Sequence, residues 1–220
     1  MISNKNIVIL LDGEEPTYEV AHYFISKSDI VIATDGAAKY AREMNFTPSI
    51  IIGDLDSIDE ETRTYYEGSS TTIIHETTQY STDFEKALDH CITEYEIGSV
   101  CVLGIHGKQT DHLMTNFSVL LRYSKKIATI KAYDATHEHY FLHEGKLSTT
   151  IDRPQNTKVS LTPLPLAFGV VTEGLFYPIT NEHMTFGERE GLSNILSSSP
   201  AIITIASGSL LVSVPFNIGV

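Results

Sequence analysis

Over the first 130 or so residues, six short apolar runs alternate with helix-period segments, and that alternation leaves few architectures open. The runs are "NIVILL" (Asn6–Leu11), "DIVIAT" (Asp29–Thr34), "SIIIGD" (Ser49–Asp54), "TTIIHE" (Thr71–Glu76), "SVCVLG" (Ser99–Gly104) and "IATIKAYD" (Ile127–Asp134). They are continuously apolar rather than alternating, as strands of a parallel sheet covered on both faces must be. Between them stand "EPTYEVAHYFISK", "AAKYAREMN", "DEETRTYYEG", "DFEKALDHCITEY" and "HLMTNFSVLLRYSK", each a helix candidate. The pattern predicts an α/β domain with an open, mainly parallel, Rossmann-like sheet.

The character changes between residues 131 and 145, and we place the boundary at 135/136. Beyond it no amphipathic helix pattern is visible. Strand-like runs broken by glycine and proline take over: "EHYFLHEG", "KVSLTPL", "GVVTEGLFYPI" and "AIITIASGSLLVSV". Residues 136–220 therefore read as an all-β sandwich.

A net charge of −13 lacks the basic footprint that a nucleic-acid backbone requires, so nucleic acid is not an expected partner. The same charge suits a protein that handles cations, although acidity also serves solubility alone. No apolar run approaches the roughly 20 residues needed to span a bilayer, and the short apolar start followed by acids does not read as a signal peptide. Neither Cys91 nor Cys101 has a metal-type spacing, so both are expected to be buried free thiols of a cytoplasmic protein.

Ligands of open α/β sheets bind outside the carboxyl ends of the strands, and acids gather there. Asp35 follows "IVIAT" and precedes Gly36. Asp54 and Asp56 follow the isoleucine run, with Gly53 just before them. At about 5 Å two such carboxylates repel by roughly 1 kcal/mol in water, and by several times more in a poorly solvated cleft. If the segment stays extended, residues two apart face one side, so both could meet one ion. Asp83 lies in the first turn of a helix opened by the capping box Thr82-x-x-Glu85, and Ser57-x-x-Glu60 reads as a second box. Asp111 sits between a glycine-rich turn and a helix whose expected apolar stripe is Leu113, Phe117, Leu120 and Leu121. Each acid alone could be a helix-start carboxylate. Together they suggest an anionic cluster whose oxygen-only ligands suit Mg²⁺.

Several signatures are absent. "GIHGKQT" has the wrong glycine spacing for a phosphate loop, and neither a dinucleotide fingerprint nor a nucleophile elbow occurs. His137, His139 and His143 have no acid or cysteine at a recognisable ligand spacing beyond them and are not read as a zinc site.

The ordered set "TDGAAKY", "PSIIIGDLDSI", "STDFEKAL", "GKQTDHLMTN", "VSLTPL", "GLFYPI" and "GLSN" resembles the thiamin pyrophosphokinase family over roughly Asn6 to Val214. That resemblance implies transfer of the pyrophosphoryl unit of ATP to the hydroxyethyl oxygen of thiamin, giving thiamin diphosphate and AMP. It implies an α/β domain carrying ATP and Mg²⁺, and a sandwich that binds thiamin and forms a homodimer with the active site between subunits. By matching motif, Asp54, Asp56, Asp83 and Asp111 are the expected catalytic residues, with Asp54, Asp56 and Asp83 on the metal. Nucleotide contacts are expected from Asp35, Gly36, Ser57, Thr82, Lys108, Gln109, Asp111, His112 and Asn116, and thiamin contacts from Ser193 and Asn194. Either Asp83 or Asp111 would orient or deprotonate the thiamin hydroxyl.

The chain departs from the family pattern in three places. Gln109 stands where an arginine is usual, and Lys108 beside it offers a point charge rather than a fork. "HETTQYSTDF" lacks an extra aspartate that many members carry, and a double glycine is Gly36-Ala37 here. Two rival readings remain open on sequence. One is a Mg²⁺-dependent phosphohydrolase using the Asp-x-Asp pair with its first aspartate as nucleophile; the other is a non-catalytic nucleotide or thiamin sensor.

Overall fold

The computed structural model describes residues 4–218. The chain forms two compact units that divide between 135 and 136.

The first unit carries β1 (Lys5–Leu10), α1 (Tyr18–Ile25), β2 (Ile30–Thr34), α2 (Ala38–Glu43) and β3 (Ile50–Gly53). It continues with α3 (Glu60–Glu67), β4 (Thr72–His75), α4 (Asp83–Glu94), β5 (Ile97–Leu103), α5 (Thr110–Ser124) and β6 (Ile130–Tyr133). The strands lie in the order β4-β3-β2-β1-β5-β6, and every neighbouring pair is parallel. Strand order therefore reverses between β1 and β5. All residues of β2 and β3 are buried, whereas the edge strand β4 is partly exposed. The continuous apolar runs thus lie inside the sheet, where both faces are covered.

The helix starts show how local chemistry sets the boundaries. Thr82 Oγ1 accepts from Glu85 N at 3.2 Å while the Glu85 carboxylate accepts from Thr82 N, closing the expected capping box of α4. Phe84, Ala87, Leu88 and Cys91 are buried on its inner face. The expected box at Ser57-x-x-Glu60 does not form. Asp59 caps α3 instead, accepting from Thr62 N at 2.8 Å, and the Ser57 hydroxyl is engaged by Asp56 at 2.9 Å. An aspartate next to the helix outcompetes a serine two residues further back.

The buried face of α5 also differs from the expected stripe: Val119, Leu120, Tyr123 and Ser124 are buried, while Leu113, Phe117 and Leu121 are half-buried. Only the second half of α5 packs down, because its first half borders a cavity. Tyr123 donates to Asp89 at 2.6 Å and Arg122 pairs with Glu85 at 2.8 Å, tying α5 to α4.

The second unit contains β7 (His137–His143), β8 (Ser148–Ile151), β9 (Lys158–Glu173), β10 (Glu182–Thr185), β11 (Gly191–Ile195), β12 (Ala201–Thr204) and β13 (Ser207–Pro215). All of its ladders are antiparallel, and no helix occurs among its described residues. The 16-residue β9 is the spine, pairing with β11, β13, β10 and β12. "KVSLTPL" and "GVVTEGLFYPI" read as separate runs, one holding Pro163 and the two parted by a segment that starts at Pro165. In the structure the strand continues, since the register against β13 shifts at Pro163, with Leu210 opposite Pro163 and Gly208 opposite Ala167. A bulge is where a strand tolerates proline. One core holds this unit together, with Leu142, Leu161, Val170, Met184, Ile203 and Leu210 at its centre. Within this unit His139 Nδ1 lies 2.9 Å from Ser213 Oγ, and His143 Nδ1 accepts from Gly145 N at 3.1 Å.

Candidate active site

Asp35 is the innermost acid of the first unit. The chain leaves β2 and turns at once through Asp35–Ala37 into α2, so the carboxyl is held at the strand end with only 2% of the residue exposed. Its oxygens accept from Gly36 N at 2.7 Å and, more weakly, from Ser57 N at 3.4 Å. Burial, followed by repulsion from Asp83, pushes its pKa up to about 6 against those backbone bonds.

Asp54 leaves β3 beside it. The Gln79 side chain donates to Asp54 Oδ2 at 2.9 Å and Asp56 N donates to Oδ1 at 3.3 Å. The Gln79 bond is the main cause that holds the Asp54 carboxyl below the usual range, with the Asp56 amide second. Asp83, in the first turn of α4, receives Lys86 Nζ at 2.7 Å. Each of Asp35, Asp54 and Asp83 offers a carboxylate oxygen, and these atoms lie within 4.8 Å of one another.

Asp56 is outside this group of three. Leu55 adopts φ +63°, so the Asp54–Asp56 segment bends rather than staying extended as expected, yet the Asp56 side chain still lies close enough to help hold the Asp54 carboxyl low. The Asp56 carboxylate accepts from the Ser57 hydroxyl.

The three acids open on a cavity of about 480 Å³ at the carboxyl ends of β1, β2, β3 and β5. Gly36, Ser57 and Thr82 line it on the acidic side. Across it stand Lys108, Asp111, His112 and Asn116, carried by the turn after β5 and the start of α5. Lys108 adopts φ +55° and its ammonium pairs with Asp12. Asp111 accepts from His112 N at 2.9 Å, and Asn116 donates to Ile105 O at 3.1 Å, fixing the turn to the helix. Gln109 occupies the N-cap position of α5 without a side-chain cap. Its side chain does not border the cavity.

Ser193 and Asn194 lie in the second unit, on β11. Ser193 is exposed at φ +53°. Asn194 is buried, and its amide accepts from Tyr177 N at 3.1 Å and donates to Tyr177 O at 2.7 Å, pinning the neighbouring turn.

Three contributors escaped the sequence reading. Asp12 follows β1 just as Asp35 follows β2, so the same strand-end rule finds it. Lys86 is three residues after Asp83, a spacing that pairs side chains on one helix face. Gln79 carries no such signal, because a loop amide announces no partner.

An all-oxygen set of three clustered carboxylates, one of them raised in pKa by burial and then by repulsion from Asp83, fits a hard divalent cation such as Mg²⁺. Fold and site therefore define a two-unit protein with a cation-ready anionic cavity at the carboxyl edge of a parallel sheet. The chain belongs to the thiamin pyrophosphokinase family: the family's catalytic-domain model matches residues 21–132, and its vitamin B1 binding-domain model matches residues 148–212.

Relatives agree. A thiamine pyrophosphokinase of Bacillus subtilis is 24% identical over 210 residues, covering 94% of this chain and 97% of that protein. Thiamine pyrophosphokinase 1 of rice (Oryza sativa subsp. japonica) is 31% identical over 177 residues, which are 73% of this chain and 64% of the rice protein. Among solved structures, yeast thiamin pyrophosphokinase superposes with a TM-score of 0.85 at 18% identity, covering 99% of this chain and 88% of that one. The Bacillus subtilis structure gives 0.81 at 21% identity, covering 97% and 100%. At these identities the superpositions establish the fold.

Proposed function

We propose that the cavity of the first unit is where this family member transfers the pyrophosphoryl group of ATP to thiamin, releasing AMP. The observation that carries this reading is the convergence of Asp35, Asp54 and Asp83 beside the starts of α4 and α5, in a chain whose two halves match the two family models. Asp35, Asp54 and Asp83 would hold Mg²⁺, with Asp56 completing the set. Bound there, the cation neutralises phosphate charge.

The remaining chemistry belongs to the chain. Phosphoryl-type transfer needs positioning and charge stabilisation above all. The uncapped start of α5 presents backbone N–H groups to phosphate oxygens, and Gly36, Ser57, Thr82, His112 and Asn116, which line the cavity, supply further nucleotide contacts. Lys108, held over the cavity by Asp12, takes the charge role of the missing arginine. Asp83 is committed to Lys86 and to the cluster, so Asp111 is the better placed carboxylate to accept the thiamin hydroxyl proton. That oxygen bonds to the β-phosphorus as the bond to the AMP oxygen breaks.

In the second unit, Ser193 and the turn pinned by Asn194 would meet thiamin. This division of labour treats 1–135 as a Rossmann-like catalytic domain and 136–220 as a thiamin-binding sandwich. A homodimer follows from the family resemblance, and Phe176, Tyr177 and Leu192 expose apolar surface for a partner to cover. Two free thiols fit a cytoplasmic setting, and among the described residues no helix is long and apolar enough to cross a membrane.

The test is direct. Purified protein with ATP, Mg²⁺ and thiamin should form AMP and thiamin diphosphate together, and neither without thiamin. Phosphate released in the absence of an acceptor would instead establish the phosphohydrolase, and nucleotide binding without turnover the sensor.

A further inference from the structure

Lys86 is the unexpected member of the acidic cluster. Its side chain is 4% exposed, and lysine is rarely buried to that degree without a partner. It rises from the first turns of α4 and sets its ammonium on Asp83, one of the three clustered acids. It also borders the cavity that those acids line. Its field reaches the next acid as well, contributing with Gln79 and the Asp56 amide to holding the Asp54 carboxyl low.

With these three acids ionised and Lys86 protonated, the four groups carry two net negative charges where the acids alone would carry three. A cation entering the site must share Asp83 with this ammonium and approach a fixed positive charge. We propose that Lys86 is a built-in counter-ion of the cluster, a positioning residue that holds Asp83 in place and keeps cation affinity low until nucleotide phosphates arrive. This rests on the cluster being the cation site, as read above. Its consequence is that the metal arrives chiefly with ATP, because the phosphates supply the negative charge that outweighs the lysine. A fixed unit charge a few ångströms away in a partly desolvated cleft changes an ion's affinity by tenfold or more.

The experiment titrates Mn²⁺ into the full-length protein without nucleotide and reads free Mn²⁺ by electron paramagnetic resonance. Lys86→Met should bind Mn²⁺ at least tenfold more tightly than the wild-type chain, and Lys86→Arg should match the wild type. Uptake by Lys86→Met alone would be the extreme form of the same result. Unchanged or weaker binding by Lys86→Met, with a native circular-dichroism spectrum, overturns the proposal. If the methionine variant does not fold, Lys86→Gln takes its place under the same criteria. Asp54→Asn separates the two levels of the argument. Mn²⁺ binding that survives Asp54→Asn undoes the cluster as the cation site, whatever Lys86 does.

Discussion

Gly53 makes room for Asp35: a Cβ on Gly53 would stand 2.7 Å from Asp35 Cγ. The last residue of β3 and the first residue after β2 are thus packed with no space for a methyl group between them. Asp35 has a short, fixed side chain, so the intruding methyl must move the carboxyl or a strand end. Gly53→Ala should lower stability by about 1–3 kcal/mol, the usual range for overpacking a filled site. It should also cut turnover by more than the stability loss explains, because the displaced group is part of the cluster. Thermal melts alongside the coupled AMP assay check both.

That contact also shows how far the sequence could be read. The alternation of apolar runs and helix-period segments placed each strand and helix of the first unit, because burial of parallel strands writes itself into composition. Acids at strand ends located Asp35 and Asp54, and the capping box that opens α4 located Asp83. What stayed illegible was set by backbone conformation and by side-chain partners far along the chain. Leu55 at φ +63° bends the segment between Asp54 and Asp56, although nothing about a leucine announces a left-handed residue. Gln79 reaches Asp54 across 25 positions. The proline-containing bulge in β9 looked like a strand end until its partner β13 was seen to absorb it.

The raised pKa of Asp35 makes a prediction for the metal-free protein. In the unfolded chain this carboxyl ionises near 3.8, and in the fold near 6. Between those values the folded state binds the extra proton, so the contribution of Asp35 to stability falls as pH rises, and it stays unfavourable above pH 6. Asp35→Asn removes that penalty. In chelator, the variant should match the wild type near pH 4 and become more stable above pH 6.5, by about 1–2 kcal/mol once screening at the cavity mouth is allowed for. Adding Mg²⁺ should reverse the order by stabilising only the wild type. Melting temperatures across pH, with and without Mg²⁺, give the answer, and a flat difference between the two proteins would count against it.

Thr82 closes the capping box of α4 and also lines the cavity. Thr82→Ala should cost about 1 kcal/mol of stability through the lost cap. Thr82→Ser keeps the oxygen and should restore most of it. If Thr82 also meets nucleotide through the helix start, the alanine variant should show a raised KM for ATP that the serine variant does not share. Denaturant titrations and initial rates at varied ATP separate the two roles.

Gln79 should behave as a residue that acts through another. Its amide holds Asp54 Oδ2 at 2.9 Å and is the main reason the Asp54 carboxyl sits below the ordinary range. Outer partners of metal-binding carboxylates typically matter by about 10–100-fold in affinity or activity. Gln79→Ala should therefore reduce kcat/KM by that order at limiting Mg²⁺, with much of the loss recovered as Mg²⁺ is raised. Gln79→Glu, placing a like charge against Asp54, should be worse at every Mg²⁺ concentration. Neither change touches the core, since Gln79 is exposed in the loop before α4, so melting temperatures should stay close to wild type. Rates measured across a Mg²⁺ series decide the point: a loss that excess Mg²⁺ leaves unchanged would mean that Gln79 acts on the substrate instead of on Asp54.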